Sequence, residues 1–282
     1  MIHTRLSIRS AEMADRTSIA NLMYFEHHVH RHLDWRGPLE WLGSKEYWVL
    51  EQDGQISAAL ACPSDPDEIN WLRLFTHSSE ISLYEAWNAL WGNARNYFSG
   101  GKNKIAAITT ADWFSDVLLN QGFSISQYIV VLEYILPVNI ERPITPSIEI
   151  RTMTQDDLLE VTRVDASGFP PLWRNSFEAI RSGFQQSGFA TVALVDNKIA
   201  GYQISTRNSV GVHLARLAVS REAQSRGVGF FLVQDLISRS RQEGLSRLTV
   251  NTQSDNLKSL ALYKKVGFEL TGERYKVFTT GF

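Results

Sequence analysis

Little in the sequence points to a secreted, membrane-spanning or nucleic-acid-binding protein. Cysteine occurs once among the 282 residues, as Cys62, so no internal disulfide can form, and its apolar context favours a packing role over a nucleophilic one. No apolar run approaches the roughly 18 residues that span a bilayer, and the charged N-terminus lacks the apolar core of a signal peptide. A net charge of −2 leaves no basic excess for binding phosphates. We therefore expect a cytoplasmic protein with no membrane and no nucleic-acid partner.

The sequence does contain a pattern that occurs twice. Four pairs of similar segments lie 142, 143, 143 and 145 residues apart, a nearly constant spacing that indicates an internal repeat. The paired segments begin at Ile8 and Ile150, at Val49 and Val192, and at Leu72 and Ala215, or end at Phe123 and Phe268. The segments that begin at Val49 and Val192 read strand, Asp-Gly or Asp-Asn turn, strand, which is typical of a β-hairpin.

A proline-rich segment without periodicity, "LPVNIERPITPS", separates the two halves and is interpreted as a linker between Pro137 and Pro146. This predicts two domains, residues 1–137 and residues 146–282. Strands alternate with helices in each half, so the predicted fold class is α/β, with a mixed sheet layered by helices.

The C-terminal half contains a glycine turn between a strand and a helix. The apolar segment "VHLARLAV" predicts a strand, "FFLVQDLISRSRQ" predicts an amphipathic helix that ends at Gly244, and Gly227 and Gly229 lie between them. Backbone N–H groups at a helix start attract anions, and glycine lets the backbone approach an anion closely. Arg226 adds a positive charge at the same place. The turn alone is a weak signal, because it is neither a dinucleotide fingerprint nor a Walker loop.

Two linked motifs make the assignment specific. "QSRGVG", residues Gln224 to Gly229, resembles the Q/R-x-x-G-x-G/A signature of the GNAT superfamily of N-acetyltransferases. Downstream, Asn256, then "ALY" ending at Tyr263, then "GF" ending at Phe268 resemble the superfamily's N…A-L-Y…G-F segment. The resemblance covers the C-terminal half, and the repeat extends it to a tandem arrangement of two GNAT-like domains.

The resemblance implies acetyl-CoA as co-substrate and assigns residues to its parts. Backbone amides of the glycine turn would hold the pyrophosphate, the strand before it would pair with the pantetheine arm, Asn256 would bind the pantetheine, and Tyr263 would protonate the departing thiolate. The implied cofactor-binding residues are Leu217, Ala218, Val219, Gln224, Ser225, Arg226, Gly227, Val228, Gly229, Phe230, Asn256 and Ser259.

Acetyl transfer also requires a base for the amine. One superfamily position for a glutamate base is taken by Asn251, which cannot act as a base, and the other is taken by His213. A histidine titrates near neutral pH and suits this role, although it could instead cap a strand or bind a backbone carbonyl. Tyr263 likewise has two interpretations, a general acid or a core aromatic residue.

The N-terminal half lacks the matching residues. An offset of 143 places Tyr84 and Ala86 where the glycines stand, and an offset of 145 places Ala111 and Leu118 at the positions of Asn256 and Tyr263. We therefore interpret residues 1–137 as a degenerate copy that does not bind acetyl-CoA in the usual way.

Two further segments bear on the acceptor. "HHVHRH", His27 to His32, is better explained as a polar helix face or an acceptor-binding segment than as a metal pair of His28 and His32, and no metal site is predicted. "SGFPPLWRNSF" contains Pro170-Pro171, which excludes a helix, and predicts a loop that presents Phe169, Trp173 and Arg174 to the acceptor or serves as an ordinary connection.

The sequence thus favours an acetyl-CoA-dependent N-acetyltransferase that acts on a primary amine of a small molecule or peptide. The alternative is a non-catalytic protein that binds acyl-CoA as a sensor. The sequence specifies neither the acceptor nor the oligomeric state.

Overall fold

The computed structural model describes residues 5–67, 69–101, 104–136, 148–209 and 211–281. They form an α/β fold that divides into two units, Met1–Ser126 with Tyr275–Phe282, and Gln127–Arg274. No described helix combines the length and apolarity that crossing a membrane requires. The predicted linker, residues 137–146, lies outside the described residues.

The elements of unit 1 are β1 (Leu6–Ser10), α1 (Arg16–Phe25), β2 (Val29–Arg31), β3 (Tyr47–Gln52), β4 (Gln55–Ala61), β5 (Ile69–Trp71), β6 (Leu74–His77), α2 (Leu83–Phe98), β7 (Lys104–Thr109), α3 (Asp112–Leu119) and the start of β8 (Ser124–Ile135). Its strands form an antiparallel sheet of order β1-β3-β4-β6-β2 and a second group in which β5 runs parallel to β7. A core cluster lies between these strands and α2 and α3, and includes Phe75, Trp87, Trp91 and Phe114.

Besides the rest of β8, the elements of unit 2 are β9 (Glu149–Thr152), α4 (Leu158–Gly168), α5 (Phe177–Gln185), β10 (Phe189–Val195), β11 (Lys198–Arg207), β12 (Gly211–Val219), α6 (Val228–Gln242), β13 (Arg247–Gln253), α7 (Leu257–Val266) and the first part of β14 (Glu269–Gly281). The strand order is β8-β13-β12-β11-β10-β9, with β12 and β13 parallel and the other pairs antiparallel. Leu214 and Val250 of the central strands pack against Val233 and Leu236 of α6.

The last strand of each half pairs in the unit of the other half. Ile129–Ile135 of β8, from the N-terminal half, pairs with β13 in unit 2. Lys276–Gly281 of β14, from the C-terminal half, pairs with β7 in unit 1. The units therefore differ from the predicted stretches 1–137 and 146–282, because each unit is completed by a strand that comes from the other half of the sequence.

The internal repeat recurs in side-chain detail. Arg9 forms a two-bond ion pair with Asp15 at 2.7 and 2.8 Å, and Arg151 forms the same pair with Asp157 at the same two distances. Both hairpins turn through residues with positive φ, at Asp53-Gly54 and Asp196-Asn197. The ion pairs are 142 residues apart and the turns 143, which agrees with the spacing of the sequence anchors.

The structure corrects the alignment in the middle of each half. Ala58 lies opposite His77 on β6, and its counterpart Gly201 lies opposite Val219 on β12, so the offset there is 142. The alignment of Leu72 with Ala215, at 143, is therefore wrong by one residue. The buried faces of α2 and α6 follow the same offset of 142, through Ala86, Leu90, Trp91, Ala94 and Phe98 in one helix and Val228, Leu232, Val233, Leu236 and Ser240 in the other.

Candidate active site

The two parallel strands at the centre of unit 2 separate part of the way along. β12 and β13 pair only from Gly211–Arg247 to Leu214–Val250. The next residue, Ala215, is the extra residue of a β-bulge against β11, and a bulge bends the strand that contains it. Beyond the bulge β12 continues to Val219, paired with β11 on one edge and with no strand of the described residues on the other. Leu217, Ala218 and Val219 therefore lie on a strand with one edge that no described strand pairs with, and that edge can pair with a ligand.

The glycine turn follows directly. Gly227 has φ 84°, in the left-handed region that favours glycine, and it is the N-cap of α6; Ser225 also has positive φ. Helix α6 begins at Val228, two residues before the predicted start. Within the described residues, none of the N–H groups from Gln224 to Phe230 donates a hydrogen bond. These donors lie at the positive end of a helix dipole, which is a suitable place for an anion.

The second glycine of the turn has a packing reason. A Cβ on Gly229 would lie 3.2 Å from Leu262 Cδ2 of α7 and 3.6 Å from Val219 Cγ2. Glycine at this position lets α6 approach α7 and the open edge of β12. Gly227 is therefore required by its left-handed backbone conformation, and Gly229 by the close approach of α6 to α7 and β12.

Polar side chains surround the turn. Gln224 accepts a hydrogen bond from Lys258 Nζ at 3.0 Å and donates to the Val219 carbonyl at 3.4 Å, which ties the turn to α7 and to the end of β12. Arg226 is exposed beside Gly227. The turn thus has an exposed guanidinium and an ammonium group next to its free N–H groups.

Asn256 is the N-cap of α7. Its Oδ1 accepts from the Ser259 N–H at 3.2 Å, and its Nδ2 donates to Gln253 Oε1 at 3.3 Å. Asn256 and Ser259 therefore have a structural role at the start of α7, which directly follows β13 in the chain. The helix ends at Gly267, which has φ 107° in the left-handed region.

The Tyr263 ring is 4% exposed and packs on Phe268 and the core of unit 2. Burial raises the pKa of Tyr263, which keeps the phenol protonated and able to donate a proton at neutral pH.

His213 lies on the paired part of β12, opposite Thr249, and its Nδ1 is 2.9 Å from Thr249 Oγ1. Burial lowers its pKa, which favours the neutral imidazole. With Nδ1–H donating to Thr249, Nε2 keeps its lone pair. Successive strand residues face opposite sides of a sheet, so His213 faces away from Leu214, which shares the core cluster with Tyr263.

The segment that follows α4 is a loop apart from one 3-10 turn at Pro171–Trp173, and α5 begins at Phe177. Trp173 Nε1 donates to Gln127 Oε1 at 2.9 Å, and Arg174 Nε donates to the Phe169 carbonyl at 3.1 Å. The Phe169 ring lies 3.6 Å from the Arg216 guanidinium. The three predicted acceptor residues thus belong to one loop that folds over the bent part of β12.

An ion pair that the sequence did not reveal holds this loop. Asp165 of α4 is fully buried and accepts from Arg216 at 2.7 and 2.9 Å, from the Tyr202 hydroxyl at 2.6 Å and from the Asn175 N–H at 2.8 Å. Arg216 also donates to the Trp173 carbonyl. The sequence did contain a signal for this pair: Asp165 lies on the apolar face of α4, and Arg216 lies within the apolar strand "VHLARLAV". Buried charges require partners, so each of these residues indicated that the other charge was needed.

Known proteins share this architecture. Residues 156–268 match the model of the Acetyltransferase (GNAT) family. An L-methionine sulfoximine/L-methionine sulfone acetyltransferase from Pseudomonas aeruginosa is 34% identical over 59 residues, which are 21% of this chain and 34% of that protein. The chain therefore matches only about a third of this curated relative's length.

Two solved structures are similar over nearly the whole chain. A tandem GNAT protein from the clavulanic acid biosynthesis pathway has a TM-score of 0.67 and 15% identity, with 98% of both chains covered. A GCN5-related N-acetyltransferase from Sphaerobacter thermophilus has a TM-score of 0.61 and 16% identity, with 98% of this chain and 95% of that chain covered. At such identities the likeness concerns the fold. Residues 156–268 thus match the GNAT acetyltransferase family model, and nearly the whole chain has a fold that a tandem GNAT protein shares.

Proposed function

We propose that the C-terminal half is an acetyl-CoA-dependent N-acetyltransferase that acts on a primary amine of a small molecule or peptide. The observation that carries the proposal is the open edge of β12 beside a turn of unpaired N–H groups. A pantetheine arm can pair with such an edge while a pyrophosphate lies on the turn. Acetyl-CoA would supply the activated acetyl group, held by Leu217, Ala218, Val219 and the residues from Gln224 to Phe230, next to Asn256 and Ser259.

The proposed chemistry uses the two faces of the sheet. The amine nitrogen bonds to the thioester carbonyl carbon, the carbon–sulfur bond breaks, and the amine loses a proton while the sulfur gains one. His213 faces one side and can accept the amine proton at Nε2. Tyr263 faces the other side and can donate its phenol proton to the sulfur. A backbone N–H of the bent part of β12 can stabilise the oxyanion.

The acceptor would lie against the loop of Phe169, Trp173 and Arg174, which the Asp165–Arg216 ion pair anchors to β12. The Pseudomonas aeruginosa relative is named for two amino-acid derivatives, both of which carry a primary amine. That name supports a small amine as acceptor and makes both compounds suitable first probes. A cytoplasmic location stays a prediction from composition.

The N-terminal half is proposed to be a degenerate copy. With the corrected offset of 142, Glu85 and Trp87 take the positions of Gly227 and Gly229, in place of Tyr84 and Ala86. Ala111 is the N-cap of α3 without a side-chain bond, where Asn256 caps α7, and the buried Leu118 stands where Tyr263 does. None of the four residues can reproduce the role of its counterpart.

The proposal is tested by titrating acetyl-CoA into Gly227→Ala and Gly244→Ala by calorimetry. Both glycines have positive φ, 84° and 73°, and neither has an atom that a Cβ would clash with, so both variants carry a similar backbone strain of about 1 kcal/mol. Gly227→Ala should weaken acetyl-CoA binding at least about tenfold, and Gly244→Ala, at the far end of α6, should not. Equal affinities for the two variants would contradict the site.

The alternative function is a sensor that binds acyl-CoA without turnover. It shares the binding residues and differs only in whether His213 and Tyr263 act on a bound acceptor. Binding alone therefore cannot separate the two functions, whereas formation of an acetylated amine does.

A further inference from the structure

The N-terminal half has its own counterpart of the open strand edge. Its β5 runs parallel to β7 from Ile69–Lys104 to Trp71–Ala106, as β12 does with β13, and the chain then leaves β7 and continues as β6. By the sheet register, Leu74–His77 of β6 corresponds to Arg216–Val219 of β12. The edge that takes the pantetheine arm in the proposed function therefore exists twice.

In unit 1 this edge is occupied. Strand β2 pairs with it, antiparallel, through Val29–Thr76, His30–Phe75 and Arg31–Leu74. No described strand of unit 2 corresponds to β2, because β12 has β11 on one edge and, beyond Leu214, nothing on the other. The "HHVHRH" segment is thus a strand with flanking residues, and the expectation of a polar helix face is wrong. Because residues 29–31 form a strand, His28 and His32 are also not placed one turn apart on a helix, the arrangement that a metal pair would need.

Aromatic side chains fill the space beside this edge. Phe75, His77, Trp87 and Phe114 stand where Leu217, Val219, Gly229 and Ser259 stand in the C-terminal half, four of the residues that the proposed function assigns to acetyl-CoA. All four are buried, and their ring centroids are 4.9 Å apart for Phe75–Trp87 and 5.5 Å for Trp87–Phe114.

Two histidines near β2 complete the filling. The His30 ring is 3% exposed, stacks on Phe114 at 4.1 Å and has Nε2 2.9 Å from the Leu72 carbonyl oxygen. The half-buried His28 lies just before the strand and has Nδ1 3.0 Å from His77 Nε2. We call these six residues the filling cluster: His28, His30, Phe75, His77, Trp87 and Phe114.

The helix that would receive a pyrophosphate is also closed. Ser82 caps α2 by accepting from the Glu85 N–H at 3.3 Å. Helix α2 begins at Leu83, which corresponds to Ser225, so a helical turn replaces the glycine turn. Glu85 places a carboxylate where a phosphate would lie, and like charges repel.

We propose that strand β2 and the filling cluster are a permanent intramolecular occupant of the N-terminal groove, so that one chain binds one acyl-CoA, in the C-terminal half. This deepens the proposed function and rests on it for the identity of the ligand. The histidine-rich segment then serves to close a groove, and it replaces pantetheine both in strand pairing and in side-chain packing.

Hydrogen exchange of the full chain, measured with and without saturating acetyl-CoA, tests the occupant. Backbone amides in residues 28–32 should exchange on the order of a hundredfold more slowly than in an unstructured peptide, and acetyl-CoA should leave their rates unchanged. Residues 216–219 and 224–230 serve as the internal control, since acetyl-CoA should slow exchange there. Fast exchange of residues 28–32 in the free protein, or its acceleration by acetyl-CoA, would overturn the proposal.

Calorimetry with acetyl-CoA gives the second readout. One equivalent bound per chain, with an affinity that Gly227→Ala weakens at least about tenfold, supports the occupant. A second equivalent whose affinity Gly227→Ala leaves unchanged overturns it. The failure of the proposed function has a different result, because then acetyl-CoA would slow exchange in neither half while residues 28–32 would still be protected.

Discussion

His30 offers a stability prediction with a definite sign. Its ring is buried between β6 and α3, and burial lowers its pKa from 6.5 to about 4, partly opposed by the hydrogen bond to the Leu72 carbonyl. A histidine whose folded pKa is depressed binds a proton more readily when unfolded. Protonation of His30 in the unfolded state therefore lowers the free energy of unfolding as the pH falls from 6.5 towards 4, whereas above 6.5 the histidine is neutral in both states and has no such effect. From about pH 8 to about pH 5, this linkage removes about 2 kcal/mol from the free energy of unfolding.

The perturbation is His30→Phe, which keeps a ring against Phe114 and removes the titrating group. Seven of the eight tryptophans lie before residue 127, so tryptophan fluorescence during urea unfolding reports mainly on unit 1. The variant should lose stability at about pH 8, because the Leu72 carbonyl loses its donor, yet lose about 2 kcal/mol less than the parent on going to about pH 5. His27→Gln, at an exposed neighbour, should keep the parent's pH dependence. A parent-like pH dependence in His30→Phe would refute the reasoning.

Three further variants test residues of the C-terminal half. Tyr263→Phe should lower kcat about a hundredfold without changing acetyl-CoA affinity, since only the proton donor is lost; full activity would show that Tyr263 is a core residue only. His213→Ala should remove the acid limb of the kcat/KM profile, which in the parent falls as the pH drops through a histidine pKa below 6.5; an unchanged profile would exclude His213 as the base. Asp165→Asn should cost about 3–5 kcal/mol of stability because Arg216 loses its charged, buried partner. The control Glu160→Gln, in an exposed ion pair of the same helix, should cost under about 1 kcal/mol. Equal losses for the two variants, measured by urea unfolding followed by circular dichroism, would contradict the role of the buried pair.

Local sequence chemistry predicted the elements that local interactions determine. The two hairpin turns, the glycine turn before α6 and the left-handed end of α7 at Gly267 follow from residues with special backbone preferences.

Long-range pairing could not be read from local patterns. Three residues are too few to show the alternation that distinguishes a strand from a helix, so "HHVHRH" did not indicate a strand. Nothing in the segment indicates that its partner is β6. The partners of β8 and β14 were also hidden, since alternation predicts a strand but not which strand it pairs with. The Asp165–Arg216 ion pair joins residues 51 positions apart and became evident only in the folded chain.

The measurement that tests the central claim most directly is the formation of an acetylated amine. The full chain would be incubated with acetyl-CoA and a panel of primary amines that includes L-methionine sulfoximine, L-methionine sulfone and short peptides, with products followed by mass spectrometry and thiol release. The account predicts that at least one amine is acetylated, with one thiol released per product and with the rate strongly reduced in Tyr263→Phe. Acetyl-CoA binding without an acetylated product from any amine class would contradict it and would favour the sensor.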